Sequence, residues 1–559
     1  MPKQLLLRDA VNELVEPGHA VHFSFTHNRS HVLAYEVARR FAGETCLDLI
    51  ATGLLDYAIV LEAAGAVRAG LGAFAGTTYP AAAPSPPMRA LVARDGSDPH
   101  WTNLTVTLRL MAGALGLPAI PTRSLAGTNL AEGPGRASIA NPFGDGALML
   151  LEPLAADVAF VHVPVADTDG NAVVQGPMGE DLWGVWGAKR VIVSADEVVA
   201  PHELRRMTPS VGLPASLVDA VVHAPYGAHP QAQLVWDPRI TSRPYAEDYC
   251  FRDDLRAAAR KPPTLQRWLR DWVLGVDHDA YLGRLGAARL EALHVAVCTP
   301  SAAPAGAMVE DVSPSEAAAV NGVRWLVDRL QRDRRPQRPL FAGIGLAHLV
   351  AFAAARSAAR LGVPAQLVAE VGMVGFEPPD GDPYLFSAAN AGSAVIHADF
   401  VRMLGAVGGP RDHGTIAVLA AGQIDHRGRL NSTQSADGGF IVGSGGANDL
   451  ASGAAELLVV VPLSKRRTVA KLPFVTAAPR RLQAVATDHG LLEPNESGEL
   501  LLTAVVARSQ DELHQAVKAA QTACGWPLQV ANDLQRLDPP ADIEVAMLRA
   551  LDPQRRLLR

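Results

Sequence analysis

A single carboxylate stands where a predicted buried strand ends. Residues 366–376 read Q-L-V-A-E-V-G-M-V-G-F, so Glu370 follows an apolar run and precedes Gly372 and Gly375. A glutamate here can cap the strand or form an ion pair, bind the ribose of a dinucleotide, or act as a covalent nucleophile. The two glycines leave room for a bulky group beside the carboxylate, which favours the nucleophile.

Two glycine-rich loops could present backbone amides to an anion. Gly343 and Gly345 lie between a predicted strand and a predicted helix, and Glu370 ends the strand that follows. That layout approaches a dinucleotide site, but His348 stands where the third glycine belongs, so the pattern alone does not establish one. The second loop, I-V-G-S-G-G-A-N-D-L over 441–450, is either a flexible turn or an oxyanion or phosphate site. Its glycine and polar residues are Gly443, Ser444, Gly445, Gly446, Asn448 and Asp449.

Four closely spaced histidines raise the question of a metal site. They are His19, His22, His27 and His31. No Asp or Glu completes a familiar ligand spacing with them, so we expect no metal. The sequence also has neither a G-x-S-x-G nucleophile elbow nor a G-x4-G-K-[ST] phosphate loop.

The composition indicates a globular protein of more than one domain. The chain has 559 residues, of which 48 % are apolar, 19 % charged and 5 % aromatic, with 49 Gly and 41 Pro. That length exceeds one ordinary core, and the mixture suits Ala/Val/Leu-packed α/β layers joined by tight loops. The net charge of −7 is scattered, and the absence of a basic stripe argues against a nucleic-acid partner.

Cysteine usage and the apolar runs indicate a cytoplasmic protein. The four cysteines lie far apart and form no C-x-x-C, which disfavours a zinc ribbon or a disulfide framework. The N-terminal segment has charges inside its apolar stretch, so we expect an amphipathic helix over 6–16 rather than a signal peptide. Apolar runs such as 457–463 are too short to span a bilayer, so no membrane association is expected.

The element pattern predicts two domains, 1–295 and 313–559. Residues 296–312 are rich in Ala and Pro and predict a linker. Ser313 and Glu316 then have the spacing of a capping box, with Pro314 at the first helical position, which predicts a helix to about Asp333.

The two predicted domains repeat the same order of elements. Each has a helix, a strand, a long Ala-rich helix and later an apolar strand ending in a turn, and this alternation indicates largely parallel sheets. We therefore predict an α/β fold of two related open domains, their sheets covered by helices, with an active site between them. The paired stretches are 19–25 and 339–345 for the strands, 30–41 and 347–361 for the Ala-rich helices, and 157–171 and 415–431 for the later strands.

Taken together, these stretches resemble the family I coenzyme A transferases, in particular the glutaconate CoA-transferase branch. In that branch two related subunits, α and β, build the site between them, and here an α-like and a β-like half are fused. The likeness runs almost from end to end. The α-like half carries it in A-L-G-L-P-A-I-P (114–121), D-V-A-F-V-H (157–162) and V-D-A-V-V-H-A-P-Y-G-A-H-P (218–230). The β-like half carries it in A-E-V-G (369–372), G-Q-I-D-H-R-G-R-L-N-S-T (422–433) and G-S-G-G-A-N (443–448).

The resemblance assigns roles to individual residues. Glu370 matches the family's catalytic glutamate, which stands there in E-S-G and here in E-V-G. It implies that Gly446 donates to a tetrahedral oxyanion, that Gly343 and Gly345 form a wall of the site, and that Asn431 lies near it. The other substrate- or CoA-binding residues implied are Gly443, Ser444, Gly445 and Asn448.

The activity implied is the movement of CoA between an acyl-CoA thioester and a free carboxylic acid. Glu370 would attack the thioester, pass through a mixed anhydride and become a glutamyl-CoA thioester, and an acceptor acid would reverse these steps. Because one thioester replaces another, CoA is a substrate and neither a metal nor a permanently bound cofactor is required. Relatives assemble further, so a homodimer or homotetramer is expected.

Two departures from the family pattern leave other reactions open. Val371 replaces the serine that follows the family's glutamate, and Phe23-Ser24-Phe25 stands where the α part usually has G-G-F, so the bulk of Phe23 is expected to reshape the pocket. Some relatives hydrolyse, ring-open or decarboxylate CoA thioesters, but they lack the β glutamate, and retention of Glu370 favours transfer. Those reactions are the alternatives, and a non-catalytic binder of CoA esters is a third.

Overall fold

Two large β-sheets, one in each half of the chain, organise the protein. The computed structural model describes residues 3–24, 28–79, 81–207, 212–298, 311–333, 335–409 and 413–559. The helices of the first half are Leu7–Leu14, His31–Arg40, Asp56–Ala63, Pro86–Val92, Asn103–Leu115, Trp183–Trp186, Pro201–Leu204, Tyr249–Ala258, Pro262–Leu269, His278–Leu285 and Ala287–Cys298. Its strands are Ala20–Phe23, Leu47–Ile50, Gly53–Leu54, Val67–Leu71, Phe74–Ala75, Ile120–Thr122, Arg136–Ala140, Ala147–Leu151, Val158–Asp167, Ala172–Val173, Arg190–Val199, Gly212–Leu213 and Ala220–His223.

The second half follows the same scheme with fewer helices. Its helices are Pro314–Arg332, Leu346–Arg360, Ala388–Ser393, Ala447–Gly453, Leu513–Ala523 and Asp542–Leu551. Its strands are Arg338–Ala342, Ala365–Ala369, Met373–Val374, Ile396–His397, Ile416–Leu419, Gln423–Asp425, Leu430–Asn431, Glu456–Val460, Thr468–Val469, Leu482–Thr487, Gly490–Pro494, Leu500–Val506 and Val530–Leu537. No helix within these described ranges is long and apolar enough to cross a membrane.

The centres of both large sheets are parallel, which confirms the predicted α/β class. Six strands of the first half run parallel, and strand Val158–Asp167 at their centre is buried along its whole length, as a strand covered on both faces must be. Five strands of the second half run parallel in the same way. Antiparallel strands extend both sheets at their edges.

The two sheets share a reversal of strand order at the same place. In the second half, Arg338–Ala342 lies between Ala365–Ala369, which follows it in sequence, and the later strand Ile416–Leu419. In the first half, Ala20–Phe23 lies between Leu47–Ile50 and Val158–Asp167. Connections that leave a strand toward opposite sides open a crevice at the carboxyl ends of the strands, where ligands bind in open α/β sheets.

Several predicted boundaries are confirmed and others move. The helix after the predicted linker is Pro314–Arg332, and Ser313 and Glu316 form the expected capping box. The apolar strand predicted within 415–431 is confirmed as Ile416–Leu419, but its extension was wrong, because it ends at Leu419 and Gln423–Asp425 belongs to a separate three-stranded sheet. Helix Ala287–Cys298 runs into the first residues of the predicted linker, and 299–310 lie outside the described residues, so the domain boundary stays a prediction.

Candidate active site

A cavity of about 370 Å³ is lined by residues from both halves of the chain. Leu55, Phe74 and Asn103 reach it from the first half, and the residues after strands Arg338–Ala342 and Ala365–Ala369 reach it from the second. It therefore includes the crevice that the reversal of strand order opens. Seven of the predicted site residues line it, namely Gly343, Gly345, Glu370, Gly443, Ser444, Gly445 and Gly446.

Glu370 is half-buried at the end of its strand and has polar partners in both halves. The Asn103 side chain and the Gly446 backbone N–H both donate hydrogen bonds to its carboxylate. A Cβ atom at position 446 would overlap Glu370 Oε2, so the close approach of loop and carboxylate requires glycine there. The nucleophile candidate is thus held against a backbone donor, the arrangement that stabilises negative charge on oxygen.

The electrostatic surroundings favour the protonated form of Glu370 more than water does. Burial raises the pKa of Glu370 to about 7, the negative charge of Asp449 adds to the rise, and the hydrogen bonds from Asn103 and Gly446 oppose it. Asp449 is completely buried, and burial raises its own pKa to about 6. It accepts hydrogen bonds from Thr102 Oγ1 at 2.7 Å and from the Leu104 backbone N–H at 3.2 Å. A carboxylate with a raised pKa is a stronger base and a better nucleophile once it is ionised.

The loop 443–446 is fastened to the first half of the chain by its backbone. The Gly445 N–H donates to Ala73 O, and Gly445 O accepts from the Asn103 N–H, both at 3.0 Å. The Gly443 N–H donates to Ser432 O at 3.1 Å. These bonds hold the loop in place, and the Gly446 N–H is the loop amide that donates to Glu370.

The loop 343–345 lines the cavity, but both of its glycine amides are engaged within the protein. The Gly343 N–H donates to Val418 O at 2.9 Å, and the Gly345 N–H donates to His348 Nδ1 at 3.0 Å. Burial lowers the pKa of His348 to about 4, so its neutral ring accepts at Nδ1 and donates from Nε2 to Pro383 O at 2.7 Å. The expectation that these two amides face an anion is therefore corrected, because Gly343 bonds to Val418 and Gly345, the N-cap of helix Leu346–Arg360, bonds to the side chain of His348 in the first turn.

Asn431 is buried beside the cavity and is not among its lining residues. Its Nδ2 donates to Gln423 Oε1 at 3.0 Å and to Gln434 O at 2.7 Å. Its Oδ1 accepts from the Thr433 N–H at 3.0 Å. These bonds of Asn431 stabilise a turn. The implied contact of Asn431 with substrate stays a prediction.

Asn448 likewise lies behind the wall of the cavity. Its Oδ1 accepts from the Leu125 N–H at 2.8 Å, and its Nδ2 donates to Thr476 O at 2.9 Å. The side chain is completely buried, and its bond to Leu125 joins the two halves while its bond to Thr476 lies within the second half. These bonds hold the loop that precedes Asn448, and the implied role of Asn448 in binding substrate stays a prediction.

Asn103 is the site residue that the sequence did not reveal. It begins helix Asn103–Leu115, after a capping box in which Thr102 and Thr105 bond each other's backbone N–H. The T-x-x-T spacing could have located the start of this helix. Nothing local relates that start to Glu370, because the contact depends on how the two halves pack.

The two departures from the family pattern occupy different places. Phe23 is fully buried in the core of the first half, with its ring centroid 4.6 Å from that of Phe160 and 4.9 Å from that of Tyr57. It is absent from the cavity wall, which corrects the expectation that its bulk reshapes the pocket. Val371, by contrast, lines a second and smaller cavity next to the first.

The histidines near the N-terminus have partners within the protein. His22 lies 2.9 Å from both Ile50 O and Glu180 Oε1, and His31 Nδ1 lies 3.1 Å from Arg29 O. His27 falls outside the described residues. In the portion of the chain that the structure describes, no three His, Cys, Asp or Glu side chains are arranged to hold a metal ion.

Fold and site together describe an α/β protein whose two similar halves enclose a cavity lined by the carboxylate of Glu370. Residues 5–224 match the family model described as Coenzyme A transferase. This part of the chain is therefore similar to the coenzyme A transferases.

The matches to three named relatives each cover less than half of this chain. The chain is 32 % identical over 203 residues to one of the subunits of glutaconate CoA-transferase from Acidaminococcus fermentans, and the match covers 33 % of this chain and 61 % of that relative. It is 28 % identical over 293 residues to one of the subunits of 3-oxoadipate CoA-transferase from Pseudomonas knackmussii, with 49 % of this chain and 95 % of that relative covered. The other named subunit of the Pseudomonas enzyme also matches, at 29 % identity over 159 residues, 24 % of this chain and 58 % of its own length. The chain spans less than two thirds of the length of several curated relatives that it matches, among them 29 % of an uncharacterized protein from Archaeoglobus fulgidus and 61 % of the glutaconate enzyme's chain.

One solved structure matches nearly the whole chain. An acyl-CoA transferase from E. coli O157:H7, solved as a thioester complex with CoA, superposes with a TM-score of 0.66 at 14 % identity and covers 98 % of this chain and 97 % of its own. At that identity the match shows a shared fold, with both halves in one chain.

Proposed function

We propose that this protein transfers CoA between an acyl-CoA thioester and a free carboxylic acid, with Glu370 as the covalent carrier. The observation that carries the proposal is the position of Glu370, which lines a cavity between the halves with the Gly446 amide directed at it. A carboxylate can attack a thioester because the thioester is already activated, and no other nucleophile is needed. The match of residues 5–224 to the Coenzyme A transferase family model supports the same activity.

The first half-reaction loads CoA onto the protein. The ionised Glu370 attacks the acyl carbonyl carbon, the tetrahedral intermediate expels CoA thiolate, and an acyl-glutamyl anhydride forms. The thiolate then attacks the glutamyl carbonyl of this anhydride and releases the acyl group as a free carboxylate. CoA is left on Glu370 as a thioester, and no proton, metal or redox step is required for the balance.

The second half-reaction runs the same steps backwards with another acid. The incoming carboxylate attacks the glutamyl thioester, thiolate leaves, and the thiolate attacks the acyl carbonyl of the new anhydride. Glu370 returns as a carboxylate and a new acyl-CoA departs. Each tetrahedral intermediate carries an oxyanion, and the Gly446 N–H, already at the carboxylate, is placed to donate to it.

Arginines on the cavity wall suit a substrate that carries phosphates. Arg467, Arg556 and Arg559 line the cavity on the side of the second half. Arg467 Nη1 donates to Ala421 O at 3.3 Å, and no carboxylate in the described residues forms an ion pair with Arg467. A guanidinium without a carboxylate partner on the wall of a cleft is a suitable donor to phosphate oxygens.

The test is mass spectrometry of the protein after incubation with a panel of acyl-CoAs and no acceptor acid. We expect a CoA adduct on the peptide that contains Glu370, and we expect Glu370→Gln to remove both the adduct and the transfer of CoA. Glu377→Gln is the matched control, because Glu377 is an exposed glutamate a few residues further along and does not line the cavity. An active Glu370→Gln protein would exclude the proposal.

Initial rates separate transfer from the other reactions open to this scaffold. A covalent carrier predicts parallel lines in double-reciprocal plots with acyl-CoA and acceptor acid, because the two substrates never meet on the protein. Loss of acyl-CoA without acceptor and without adduct would instead indicate hydrolysis, ring opening or decarboxylation. Binding of CoA esters without turnover over a broad range of acids would indicate a non-catalytic binder.

A further inference from the structure

One helix of the first half begins beside the proposed nucleophile of the second half. Helix Asn103–Leu115 has Asn103 at its first position, on the wall of the large cavity, and only 6 % of this residue is exposed. The Asn103 backbone N–H donates to Gly445 O at 3.0 Å, and its side chain donates to the Glu370 carboxylate. Because Asn103 is held at its backbone and at its side chain, it has little freedom to turn away from Glu370.

The residues on either side of Asn103 bind the second carboxylate of the site. Thr102 Oγ1 donates to Asp449 Oδ1 at 2.7 Å, and the Leu104 backbone N–H donates to Asp449 Oδ2 at 3.2 Å. Three consecutive residues at the start of one helix therefore contact Glu370 and Asp449, at the end of the helix where the dipole favours negative charge. This attachment fixes the position of the Asn103 amide relative to the nucleophile.

The two oxygen atoms of Glu370 have different fates in the proposed reaction. One oxygen attacks the acyl group and bridges the anhydride, and the other stays on the glutamyl carbon as its carbonyl oxygen. When CoA thiolate attacks that carbon, negative charge develops on this carbonyl oxygen. The Gly446 N–H and the Asn103 amide contact the carboxylate before any reaction begins, so they are placed to stabilise this charge.

We propose that Asn103 is a catalytic residue supplied by the first half, and that its side-chain amide and the Gly446 N–H together stabilise the oxyanion on the glutamyl carbon as the CoA thioester forms and breaks. The inference rests on the proposed function, because the glutamyl carbon reacts only if Glu370 carries CoA. In the loading step thiolate adds to the glutamyl carbon, the oxyanion collapses and the acyl carboxylate leaves. Asn103 donates a hydrogen bond throughout and transfers no proton.

Asn103→Ala removes this donor from the cavity wall. The loss of one oxyanion donor slows other acyl-transfer enzymes by roughly 10²- to 10³-fold, so we expect the CoA adduct on Glu370 to form more slowly by about that factor. Attack on the acyl group is spared, so the anhydride persists until water hydrolyses it to the free acid and the Glu370 carboxyl group. The amount of free CoA thiol per CoA adduct, measured with a thiol reagent and by peptide mass spectrometry, should therefore rise. A folded variant that loads CoA at the natural rate would overturn the proposal.

Asn129→Ala is the matched control. Asn129 is another asparagine of the first half that bonds to the second half, because its Oδ1 accepts from the Val475 N–H at 2.7 Å, but it does not line the cavity. We expect this protein to keep the natural rate of loading and the natural ratio of thiol to adduct. An equal loss of loading in Asn129→Ala and Asn103→Ala would assign the effect to the contact between the halves and would overturn the proposal.

Asn103→Asp tests the same donor if Asn103→Ala does not fold. The new carboxyl group has the size of the natural amide, and it can donate to Glu370 only while it is protonated. Its ionisation also places a like charge beside the nucleophile. We therefore expect loading in this variant, expressed relative to the natural protein at the same pH, to fall steadily as the pH rises. A ratio that does not change with pH would count decisively against a donor at this position.

The role of Asn103 and the transfer reaction can fail separately. A water-soluble carbodiimide reacts with protonated carboxyl groups, so the pH dependence of its reaction with Glu370 reports ionisation without any CoA ester. Because the bond from Asn103 lowers the pKa of Glu370, Asn103→Ala should move this midpoint to higher pH. A shifted midpoint together with no adduct on the natural chain would exclude the transfer reaction, and the catalytic role with it. An adduct on the natural chain, with midpoint and loading unchanged in Asn103→Ala, would leave the transfer reaction standing and overturn the role of Asn103.

Discussion

At the scale of single residues, the proposed CoA transfer depends on the balance between the protonated and the ionised form of Glu370. Burial and the Asp449 charge favour the neutral acid, whereas the Asn103 and Gly446 donors favour the carboxylate. Attack on a thioester requires the ionised form, so the raised pKa reduces the reactive fraction near neutrality while it strengthens the nucleophile. The pH dependence of loading should therefore report this balance directly.

We expect the rate of adduct formation to rise with pH and to level off above about 7, where Glu370 is ionised. Below that pH the rate should fall about tenfold for each unit, because the ionised fraction falls by that factor. Single-turnover mass spectrometry across a pH series measures the profile. A rate independent of pH from 5 to 8, roughly the range around this midpoint, would contradict the assignment.

Asp449→Asn should move that midpoint to lower pH. The substitution removes a negative charge that raises the pKa of Glu370, so the carboxylate ionises more readily. Asp437→Asn is the matched control, because Asp437 is exposed in a turn at the surface. Equal midpoints for the two variants would show that Asp449 does not act on Glu370.

At the scale of elements, the two glycine loops differ in what they offer a ligand. The glycine N–H groups of loop 343–345 donate to Val418 O and His348 Nδ1. This loop therefore lines the cavity without offering a glycine amide to a ligand. The loop 443–446 is pinned to the first half through Ala73 and Asn103, which leaves the Gly446 amide directed at Glu370. Rigid backbone attachment is what makes a single amide effective as an oxyanion donor.

Gly446→Ala should abolish most of the activity with little loss of fold. The added Cβ would overlap Glu370 Oε2 and approach Leu404 Cδ2 to 3.0 Å, so carboxylate and amide must separate. Loss of one such donor costs roughly 10²–10³ in rate in other acyl-transfer enzymes. The measurement is kcat alongside the thermal midpoint.

Gly283→Ala is the control for that substitution. Gly283 lies in helix His278–Leu285, and a Cβ there meets nothing within 4 Å, so both activity and stability should be kept. A Gly446→Ala protein as active as this control would show that the amide is not used.

The sequence predicted the elements and the position of Glu370 at a strand end better than it predicted which groups contact that carboxylate. Strand ends, the capping box at Ser313 and the place of Glu370 follow from local patterns of polarity and spacing. The use of His348 as a helix cap, and the contact of Asn103 with Glu370, depend on tertiary packing between distant segments. Glycine and asparagine are permissive residue types, so their spacing alone could not distinguish a ligand contact from a bond within the protein.

At the scale of the whole molecule, both halves of the chain contribute groups that act on Glu370. Asn103 comes from the first half, and Gly446 and Asp449 come from the second. The bonds of Asn448 to Leu125 and of Asp449 to Thr102 join these halves. Each chain should therefore be competent by itself, whatever assembly it forms.

We expect saturation with an acyl-CoA to load one CoA per chain. Native mass spectrometry gives the assembly and the number of adducts in the same spectrum. Loading that stops at half of the chains would contradict a site completed within one chain, and it would indicate that neighbouring copies act on one another.

The repeated strand order places two corresponding strand ends in the molecule, and they carry different residues. Glu370 directly follows strand Ala365–Ala369, whereas the corresponding strand Leu47–Ile50 is followed by Ala51 and then by Thr52, whose hydroxyl is buried and donates to Glu180 at 3.0 Å. The proposed reaction carries CoA on one carboxylate, so a second nucleophile would add nothing to it. On that proposal the first half is free to vary the walls that select the acid, while the second half keeps the carboxylate.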